Sequence, residues 1–289
     1  MKNIYVIILN YNGGKDTIDC IRSIKKSKIP PKFLRKFYRV NKNQNWKALI
    51  VDNKSTDDSL KFLKTKFPEI KIIENKINKG FAGGVNVGIR HALVKGADYI
   101  LLLNNDTLAE NDFVTPLITY LENNESIGIV SPVIKYKKNG KLLYDLGGKV
   151  NWGIGRTKHL EIQSFKDAKT QREEKIDYVS GCCMMVRREV FEKIGLFDER
   201  FFLYFEDVDF CLRARKAGFG ISVVKDSIIN HKLSGSFGND GMWKFRENIK
   251  SNWKFIDKYL GWRKIFGFVY IFLLVFKGLT LRRVRPSKE

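Results

Sequence analysis

The chain has 289 residues, of which 44% are hydrophobic and 29% are charged. This apolar content can build the core of one large domain or two small ones, and it excludes disorder along the whole chain. No run of 18 apolar residues occurs, which excludes a simple membrane-spanning protein, and the first ten residues predict no secretory signal. The four cysteines lack the spacing of a disulfide scaffold or a zinc finger, and they fit a reducing cytosol.

The formal net charge of +22 is concentrated in two basic segments. Residues 25–47 hold nine Lys or Arg and no acid, and residues 242–289 hold twelve Lys or Arg with three acids. Because these segments together carry +18, the other 218 residues carry only +4. Basic patches of this kind bind polyanions, which are nucleic acids, anionic lipids or phosphorylated substrates.

Short apolar runs alternate with amphipathic stretches as far as residue 131. The predicted strands are Tyr5–Leu9, Ala48–Val51, Ile70–Ile73, Tyr99–Leu103 and Ile127–Val130, and the predicted helices are Asp16–Lys26, Asp57–Lys66, Ala82–Lys95 and Asp112–Glu122. This alternation predicts an α/β fold with a mostly parallel central sheet and helices on both faces.

The pattern changes after residue 131. Residues 135–146 predict a hairpin that turns at Asn139-Gly140, and the polar residues 151–175 are expected to form a mobile loop over a site. A short strand at residues 182–186 precedes two predicted helices, which begin at Arg188 and Glu206. We interpret residues 1–240 as one α/β domain and residues 241–289 as a basic and apolar helical appendage.

The appendage contains an apolar segment, Ile265–Phe276, with basic residues on both sides. As a helix it would be roughly 18 Å long, which is shorter than the hydrocarbon core of about 30 Å. Such a helix could lie in the membrane interface with its basic flanks on lipid headgroups. The alternative is a buried C-terminal helix with a solvated, charged end.

Polar side chains follow three of the predicted strands at the point where each strand ends. Asn10 and Asn12 follow the first strand, Asp52 and Asn53 follow the second, and Asn104 follows the fourth. Taken singly, such a residue is most often a turn or helix cap. Because the carboxyl ends of parallel strands meet at one edge of a sheet, three such ends predict a ligand pocket.

A metal ligand is predicted at the same edge. Asp106 follows the fourth strand, and a carboxylate there can serve Mg²⁺ or Mn²⁺, which take further ligands from water and substrate phosphates. The glycine-rich residues 78–88 match neither a dinucleotide fingerprint nor a P-loop. Their glycines still allow a ligand to approach the start of a helix closely.

Acidic residues and a histidine in the second half are further candidates. Glu206 and Asp207 begin a predicted helix, where one could accept a proton from an attacking hydroxyl or both could act as caps. Asp209 and Arg213 are four residues apart, which predicts an ion pair. His231 ends a strand-like run where a metal could bind, although a lone histidine is more often structural. The other two histidines are assigned no role.

Six motifs occur in a characteristic order: VIILNYNGG, VDNKSTDDS, NKGFAGGVNVG, LLLNNDT, SGCCMMVRREVFEKIGLFDERFFLYFEDVDFCLRARKAGF and NHKLSGS. Together they resemble the family 2 glycosyltransferases of the GT-A fold. The resemblance is strongest to the rhamnosyltransferase-like and galactofuranosyltransferase-like members, and it covers about residues 3–255.

The resemblance implies a donor site. Its nucleotide-binding positions are Asn10, Asn12, Asp52, Asn53, Asn78, Gly80, Asn86 and Asn104, with Asp52 on a pyrimidine base. Asp106 occupies the last position of the family's DxD metal motif, and His231 resembles an additional ligand for Mg²⁺ or Mn²⁺. Asn104 stands where the motif has its first aspartate, which leaves the metal with fewer negative charges.

The resemblance also implies an acceptor side. Asp207 would be the general base, Glu206 its catalytic neighbour, and Gly181 part of the acceptor-side motif. The basic insertion at residues 30–46 is longer than the family's usual connection, and no role is assigned to it.

The predicted function is metal-dependent, inverting transfer of a rhamnose-like or galactofuranose-like sugar from a UDP- or dTDP-sugar. The expected acceptor is a glycan or a polyprenyl-diphosphate-linked glycan of a cell-surface polysaccharide. The expected location is cytoplasmic, on the anionic inner face of the cell membrane, with no nucleic-acid partner.

The alternative function is a non-catalytic, basic nucleic-acid-binding protein. Phe33, Phe37 and Tyr38 do lie among basic residues, as stacking platforms for bases would. This alternative leaves the carboxylates at the strand ends unexplained, because they would repel phosphates in the absence of a metal.

Overall fold

The computed structural model describes residues 2–26, 46–110, 112–170, 175–233 and 241–283, so most of the basic insertion lies outside the described residues. The strands are β1 (Ile4–Asn10), β2 (Trp46–Asp52), β3 (Lys71–Glu74), β4 (Tyr99–Asn104), β5 (Thr107–Leu108), β6 (Ile127–Lys138), β7 (Lys141–Asn151), β8 (Arg156–Ile162), β9 (Cys183–Arg187) and β10 (Gly220–His231). The helices are α1 (Gly14–Lys26), α2 (Ser59–Lys66), α3 (Gly80–Val94), α4 (Val114–Asn123), α5 (Phe165–Thr170), α6 (Arg188–Ile194), α7 (Glu206–Lys216), α8 (Gly241–Tyr259) and α9 (Lys264–Arg283), with a 3₁₀ turn at Gly261–Arg263.

The first half of the sheet is parallel, as the alternation of strands and helices predicts. Its strand order is β3-β2-β1-β4, and every neighbouring pair among these strands is parallel. The continuous apolar sequence of β1 suits this position, because a central parallel strand is covered on both faces. Successive side chains of β1 therefore enter different cores, with Val6 on one face and Ile7 on the other.

The second half makes the sheet mixed. Strand β9 lies antiparallel between β4 and β6, and β10 runs parallel to β6. The short strand β5 is the edge strand next to β10 and pairs antiparallel with it. Strand β9 thus joins the parallel half to the part of the sheet that carries β10.

The predicted hairpin is present, but the predicted mobile loop is wrong. Strands β6 and β7 pair antiparallel and turn at Asn139-Gly140, where both residues have positive φ. Residues 156–162, expected in the loop, form β8 and pair antiparallel with β7, and Phe165–Thr170 is helical. The polar composition misled the prediction because β8 has no buried side chain and alternates only between half-buried and exposed positions.

Helices cover both faces of the sheet, as predicted. One core contains apolar side chains of α1, α2 and α4, among them Ile21, Leu63 and Leu117. The other contains side chains of α3, α6 and α7, together with Phe255 and Ile256 of α8. The helix that begins at Glu206 therefore packs within the main core.

Helix α8 is joined closely to the rest of the molecule. Phe255 is fully buried and its ring centroid lies 5.1 Å from that of Phe205. Ser251 donates a hydrogen bond of 2.7 Å to the carbonyl oxygen of Leu203, and the Asn252 amide donates one of 2.6 Å to the carbonyl of Gly155. The domain boundary after residue 240 stays a prediction, and α8 shares the core of the residues before it.

Helix α9 is longer than the predicted apolar segment and has two unlike faces. Its inner face packs on α8, where Gly267 lies against Ile256 and the Phe268 ring stacks on Trp253 with centroids 4.0 Å apart. The outer face, with the preceding turn, presents exposed apolar residues at helical spacing, which we call the apolar stripe: Trp262, Ile265, Phe266, Val269, Phe272, Leu273 and Phe276. Among the described residues, no helix has the length and apolarity needed to span a membrane.

Candidate active site

The carboxyl ends of β1 and β2 hold the first group of predicted site residues. Asn10 and Asp52 are register partners on the two strands, and both side chains are buried. The Asn10 amide donates hydrogen bonds to Asp52 Oδ1 at 2.8 Å and to Ser55 Oγ at 3.0 Å. Asn12, in the left-handed region with φ of 49°, accepts a bond of 2.7 Å from the backbone N–H of Thr56. The two strand ends therefore form one polar floor.

Asn53 connects this floor to the glycine-rich segment. Its amide nitrogen donates to Asn78 Oδ1 and to the Gly80 carbonyl, each at 2.9 Å. Its amide oxygen accepts from Asn75 Nδ2 at 3.0 Å and from the Lys79 N–H at 3.1 Å. All the hydrogen-bonding capacity of this buried side chain is thus used within the protein. In the structure Asn53 orders the segment, and direct nucleotide contact stays a prediction.

Gly80 and Asn86, like Asn53, make contacts within the protein, and both connect α3 to a neighbouring segment. Gly80 has φ of +69°, and a Cβ at this position would lie 2.2 Å from the Phe202 carbonyl oxygen. Only glycine fits this close approach of two backbones. The Asn86 amide bonds to both the carbonyl and the N–H of Phe197, at 2.9 and 3.1 Å. These residues attach α3 to the segment before α7, and their contact with a nucleotide also stays a prediction.

The two predicted metal ligands meet at the end of the sheet. Thr107 and His231 are register partners in the β5–β10 pair, and this pairing brings His231 Nε2 to 3.0 Å from Asp106 Oδ1. Burial lowers the pKa of His231, but Cys182 and the hydrogen bond to Asp106 outweigh it and raise that pKa to about 11. The hydrogen bond to Asp106 thus favours the protonated form of the imidazole.

This pair fits part of a divalent-cation site. Carboxylate oxygen is a ligand that Mg²⁺ and Mn²⁺ prefer, and a neutral imidazole serves Mn²⁺ as well. Within the described ranges, no group of three or more His, Cys, Asp or Glu side chains is arranged to hold a metal ion. Asp106 and His231 can therefore supply two ligands, and a bound diphosphate or water would have to supply the others. The thiol of Cys182 is a poor third ligand because burial raises its pKa to about 11.

Glu206 and Asp207 lie at the N-terminus of α7, as predicted. Asp207 accepts hydrogen bonds from the N–H groups of Gly181 at 2.9 Å and Val208 at 2.8 Å. The preceding Tyr204 and Phe205 both have positive φ, 70° and 66°, which non-glycine residues rarely adopt. This unusual backbone conformation turns the chain directly before Glu206, so that both carboxyl groups lie in the first turn of α7.

The two carboxyl groups have different surroundings. Burial raises the pKa of Asp207, but the N–H groups of Gly181 and Val208 oppose this and favour its charged form. Burial, and then the charge of Asp207, raise the pKa of Glu206 well above its usual value. Glu206 Oε2 is buried and has no hydrogen-bond partner among the described residues. Glu206 is therefore the neutral member of the pair and Asp207 the one suited to accept a proton.

Two adjacent residues connect Asp207 to the Asp106–His231 pair. Gly181 donates to Asp207, and the carbonyl of Cys182 accepts a hydrogen bond of 2.8 Å from the Asn104 N–H. Cys182 also interacts with His231. The structure thus brings Asp106, His231 and Asp207 to one segment before β9.

Sequence reasoning missed one cluster close to Asp207. His159 on β8 lies 2.8 Å from a carboxylate oxygen of Asp145 on β7, and its ring stands edge-on to Tyr178. Neither residue belongs to a recognisable motif, and residues 151–175 were expected to be a loop. The contact between Asp145 and His159 could have been predicted only by recognising the segments of β7 and β8 as an antiparallel strand pair.

Solved structures share this fold. A crystal structure of GalNAc-T7 with UDP, GalNAc and Mn²⁺ aligns with a TM-score of 0.64 at 16% identity, over 89% of this chain and 48% of that one. The mannosyltransferase PcManGT of Pyrobaculum calidifontis, solved with GDP-Man and Mn²⁺, aligns with a TM-score of 0.60 at 15% identity, over 89% and 63%. The chain spans less than two thirds of either structure. The likeness confirms the predicted α/β fold of the GT-A type.

Sequence comparison then gives the family. Residues 5–195 match the model of glycosyl transferase family 2, and the chain belongs to that family. The dTDP-rhamnosyl transferase RfbF of Shigella flexneri is 27% identical over 231 residues, which are 80% of this chain and 69% of that protein. The N-acetylglucosaminyl-diphospho-decaprenol L-rhamnosyltransferase of Mycobacterium tuberculosis is 24% identical over 74% of this chain and 76% of that protein. The predicted resemblance to rhamnosyltransferases is confirmed.

Proposed function

We propose that the protein is an inverting glycosyltransferase that moves a sugar from a UDP- or dTDP-sugar to a hydroxyl of a glycan or lipid-linked glycan. One observation carries the proposal: Gly181 and Cys182 join the carboxylate of Asp207 to the Asp106–His231 pair. The proposed base and the two proposed metal ligands thus contact the same short segment, as a single displacement at an anomeric carbon requires. The names of the rhamnosyltransferase relatives support a rhamnose-like donor, and the proposal adds a cell-surface polysaccharide as the product.

The protein's own groups have distinct tasks in this reaction. Asp207 accepts the proton of the acceptor hydroxyl as its oxygen attacks the anomeric carbon, and the N–H groups of Gly181 and Val208 orient the carboxylate. The floor formed by Asn10 and Asp52 receives the nucleotide end of the donor. A divalent cation held by Asp106 and His231 would offset the charge that develops on the departing diphosphate.

Calorimetric titration of UDP, dTDP and GDP, each with and without Mn²⁺, tests the donor site. We expect metal-dependent binding of one pyrimidine diphosphate. In Asp106→Ala this dependence on Mn²⁺ should disappear, because the Asp106–His231 pair then has no carboxylate to bind the ion. Glu189→Ala, which removes an exposed carboxylate on α6, is the matched control and should bind like the wild type. If no nucleotide binds to the folded protein, the donor site is wrong, and the alternative of a polyanion-binding protein would have to be reconsidered.

A second proposal concerns location: the chain works in the cytoplasm, attached to the anionic inner face of the cell membrane through the apolar stripe. The stripe is roughly 20 Å long and apolar at every position, with the basic Arg263 and Lys264 at its start. Such a face buries its side chains in the interface while cations contact lipid headgroups. A lipid-linked acceptor, which the name of the mycobacterial relative supports, would be presented at that surface.

Sedimentation with vesicles tests the attachment. We expect the full chain to sediment with vesicles of phosphatidylglycerol and phosphatidylcholine, and the double variant F266E/F272E to lose most of this binding. Phe62→Glu is the matched control because Phe62 is a similarly exposed phenylalanine on α2, outside the stripe. Equal sedimentation of the double variant and the wild type would contradict the proposed role of the stripe.

A further inference from the structure

Asp145 and His159 form a fixed pair on neighbouring strands. Asp145 is 5% exposed, and its Oδ1 accepts a hydrogen bond of 2.9 Å from the N–H of Gly147. Its Oδ2 lies 2.8 Å from His159 Nδ1. The β7–β8 pairing shifts register between Asp145 and Gly148, and His159 lies opposite Gly148. The backbone irregularity therefore occurs where the carboxylate meets the ring.

The other edge of the imidazole is open. The His159 side chain is 41% exposed, and Nε2 makes no hydrogen bond within the part of the chain that the structure describes. One face of the ring is fixed by Tyr178, whose ring stands at 80° with a centroid distance of 5.4 Å. The imidazole is thus held by Nδ1 and by its ring contact, and Nε2 is available to a ligand.

The pair lies beside the proposed base. Tyr178 pairs through its backbone with Gly148, and three residues later Gly181 donates to Asp207. Burial raises the pKa of Tyr178, and the charge of Asp207 raises it further. The same charge acts on His159. The short segment from Tyr178 to Gly181 therefore contacts His159 at one end and Asp207 at the other.

The surrounding charges indicate what kind of group would bind. Burial lowers the pKa of His159, but Asp145 outweighs this, and Asp207 and Glu161 raise the pKa further. The three carboxylates therefore favour the protonated ring, in which Nε2 carries a hydrogen that it can donate. A phosphate or carboxylate would be repelled by these acids, whereas a neutral hydroxyl oxygen can accept from Nε2–H without that cost.

We propose that Asp145 and His159 form a binding site for a hydroxyl group of the acceptor sugar, next to the hydroxyl that Asp207 deprotonates. This inference rests on the proposed function and adds the chemical class of the acceptor's reacting end. Nε2–H donates to the neighbouring hydroxyl oxygen, and Asp145 holds the ring in the orientation required. The acceptor thus ends in a sugar with a second free hydroxyl close to the one that is glycosylated.

The test uses octyl glycosides, among them octyl N-acetylglucosaminide, in the presence of Mn²⁺ and the nucleoside diphosphate that binds best. Saturation-transfer NMR gives Kd for each glycoside and for its monodeoxy analogues. Because one charge-assisted hydrogen bond is lost, we expect His159→Ala to raise Kd about tenfold and nucleotide affinity to stay unchanged. One monodeoxy analogue should bind the wild type about tenfold more weakly than its parent, and His159→Ala should bind the two equally.

The controls separate binding from folding. His159→Gln keeps an N–H donor and should recover part of the affinity, and its thermal unfolding reports on the fold. His91→Ala removes a histidine of α3 that lines a pocket with Lys71 of β3, a pocket to which neither Asp145 nor His159 contributes, and it should leave Kd unchanged. The proposed site would be overturned if His159→Ala bound the glycosides with the Kd of the wild type. It would also be overturned if each deoxy analogue raised Kd by the same factor in the wild type and in His159→Ala. A wild type that binds nucleotide but no glycoside would overturn it as well, whereas a wild type that binds no nucleotide overturns the proposed function itself.

Discussion

Replacing Asp207 by asparagine is expected to lower kcat by about 10²–10⁴-fold while nucleotide binding stays unchanged, because the amide cannot accept the acceptor's proton. The variant keeps a side chain of the same shape. Its Oδ1 can still accept one of the hydrogen bonds that Gly181 and Val208 now donate to Asp207. The measurement is steady-state transfer from the donor identified by calorimetry, together with a nucleotide titration of the same sample.

Glu206→Gln is the matched control for this prediction. Burial keeps the Glu206 carboxyl neutral, so an amide of equal size should change kcat by less than about tenfold. Near-normal turnover in Asp207→Asn would refute the base assignment. A large loss in Glu206→Gln with normal turnover in Asp207→Asn would assign the proton transfer to Glu206 instead.

The largest expected effect on stability comes from Asp209→Ala. Asp209 is fully buried and accepts hydrogen bonds from Arg213 Nε at 2.8 Å and from Lys258 Nζ and the Tyr259 hydroxyl at 2.6 Å each. Removing the carboxylate leaves two cations without their shared partner between α7 and α8. We expect the free energy of unfolding to fall by about 3–5 kcal/mol, measured by urea denaturation.

Asp257→Ala provides the comparison. Asp257 is next to Lys258 on α8, but its side chain is 62% exposed and its partner Lys264 lies 3.4 Å away. An exposed ion pair contributes little, so this variant should lose less than about 1 kcal/mol. Equal, small losses in both variants would mean that the Asp209 network does not hold α8 against α7.

Much of the fold could be predicted because periodicity reports local structure. The five strands predicted up to residue 131 and their helices all exist, and the apolar run of the central strand β1 is buried on both faces. The order of strands in the second half could not be predicted in this way. Insertion of β9 between β4 and β6 depends on pairings between residues 55 to 88 positions apart, which leave no local pattern.

The site was predictable to a similar degree. The strand-end rule led to Asn10, Asp52 and Asp106, because parallel strands place their carboxyl ends together. It did not reveal that the side-chain amide of Asn53 makes all its hydrogen bonds with other groups of the protein. Nor could it pair His159 with Asp145, because that contact depends on a register shift between two antiparallel strands.

The support of α7 by α8 has a consequence for biosynthesis. The backbone before Glu206 is held by Ser251 and by the ring of Phe255, which follow β10 in the sequence. A nascent chain that has released only β1 to β10 therefore lacks the packing behind its acidic pair. Because a domain folds as a unit once the segments of its core have emerged, the packing behind the acidic pair and the neighbouring apolar stripe arise at nearly the same moment of translation.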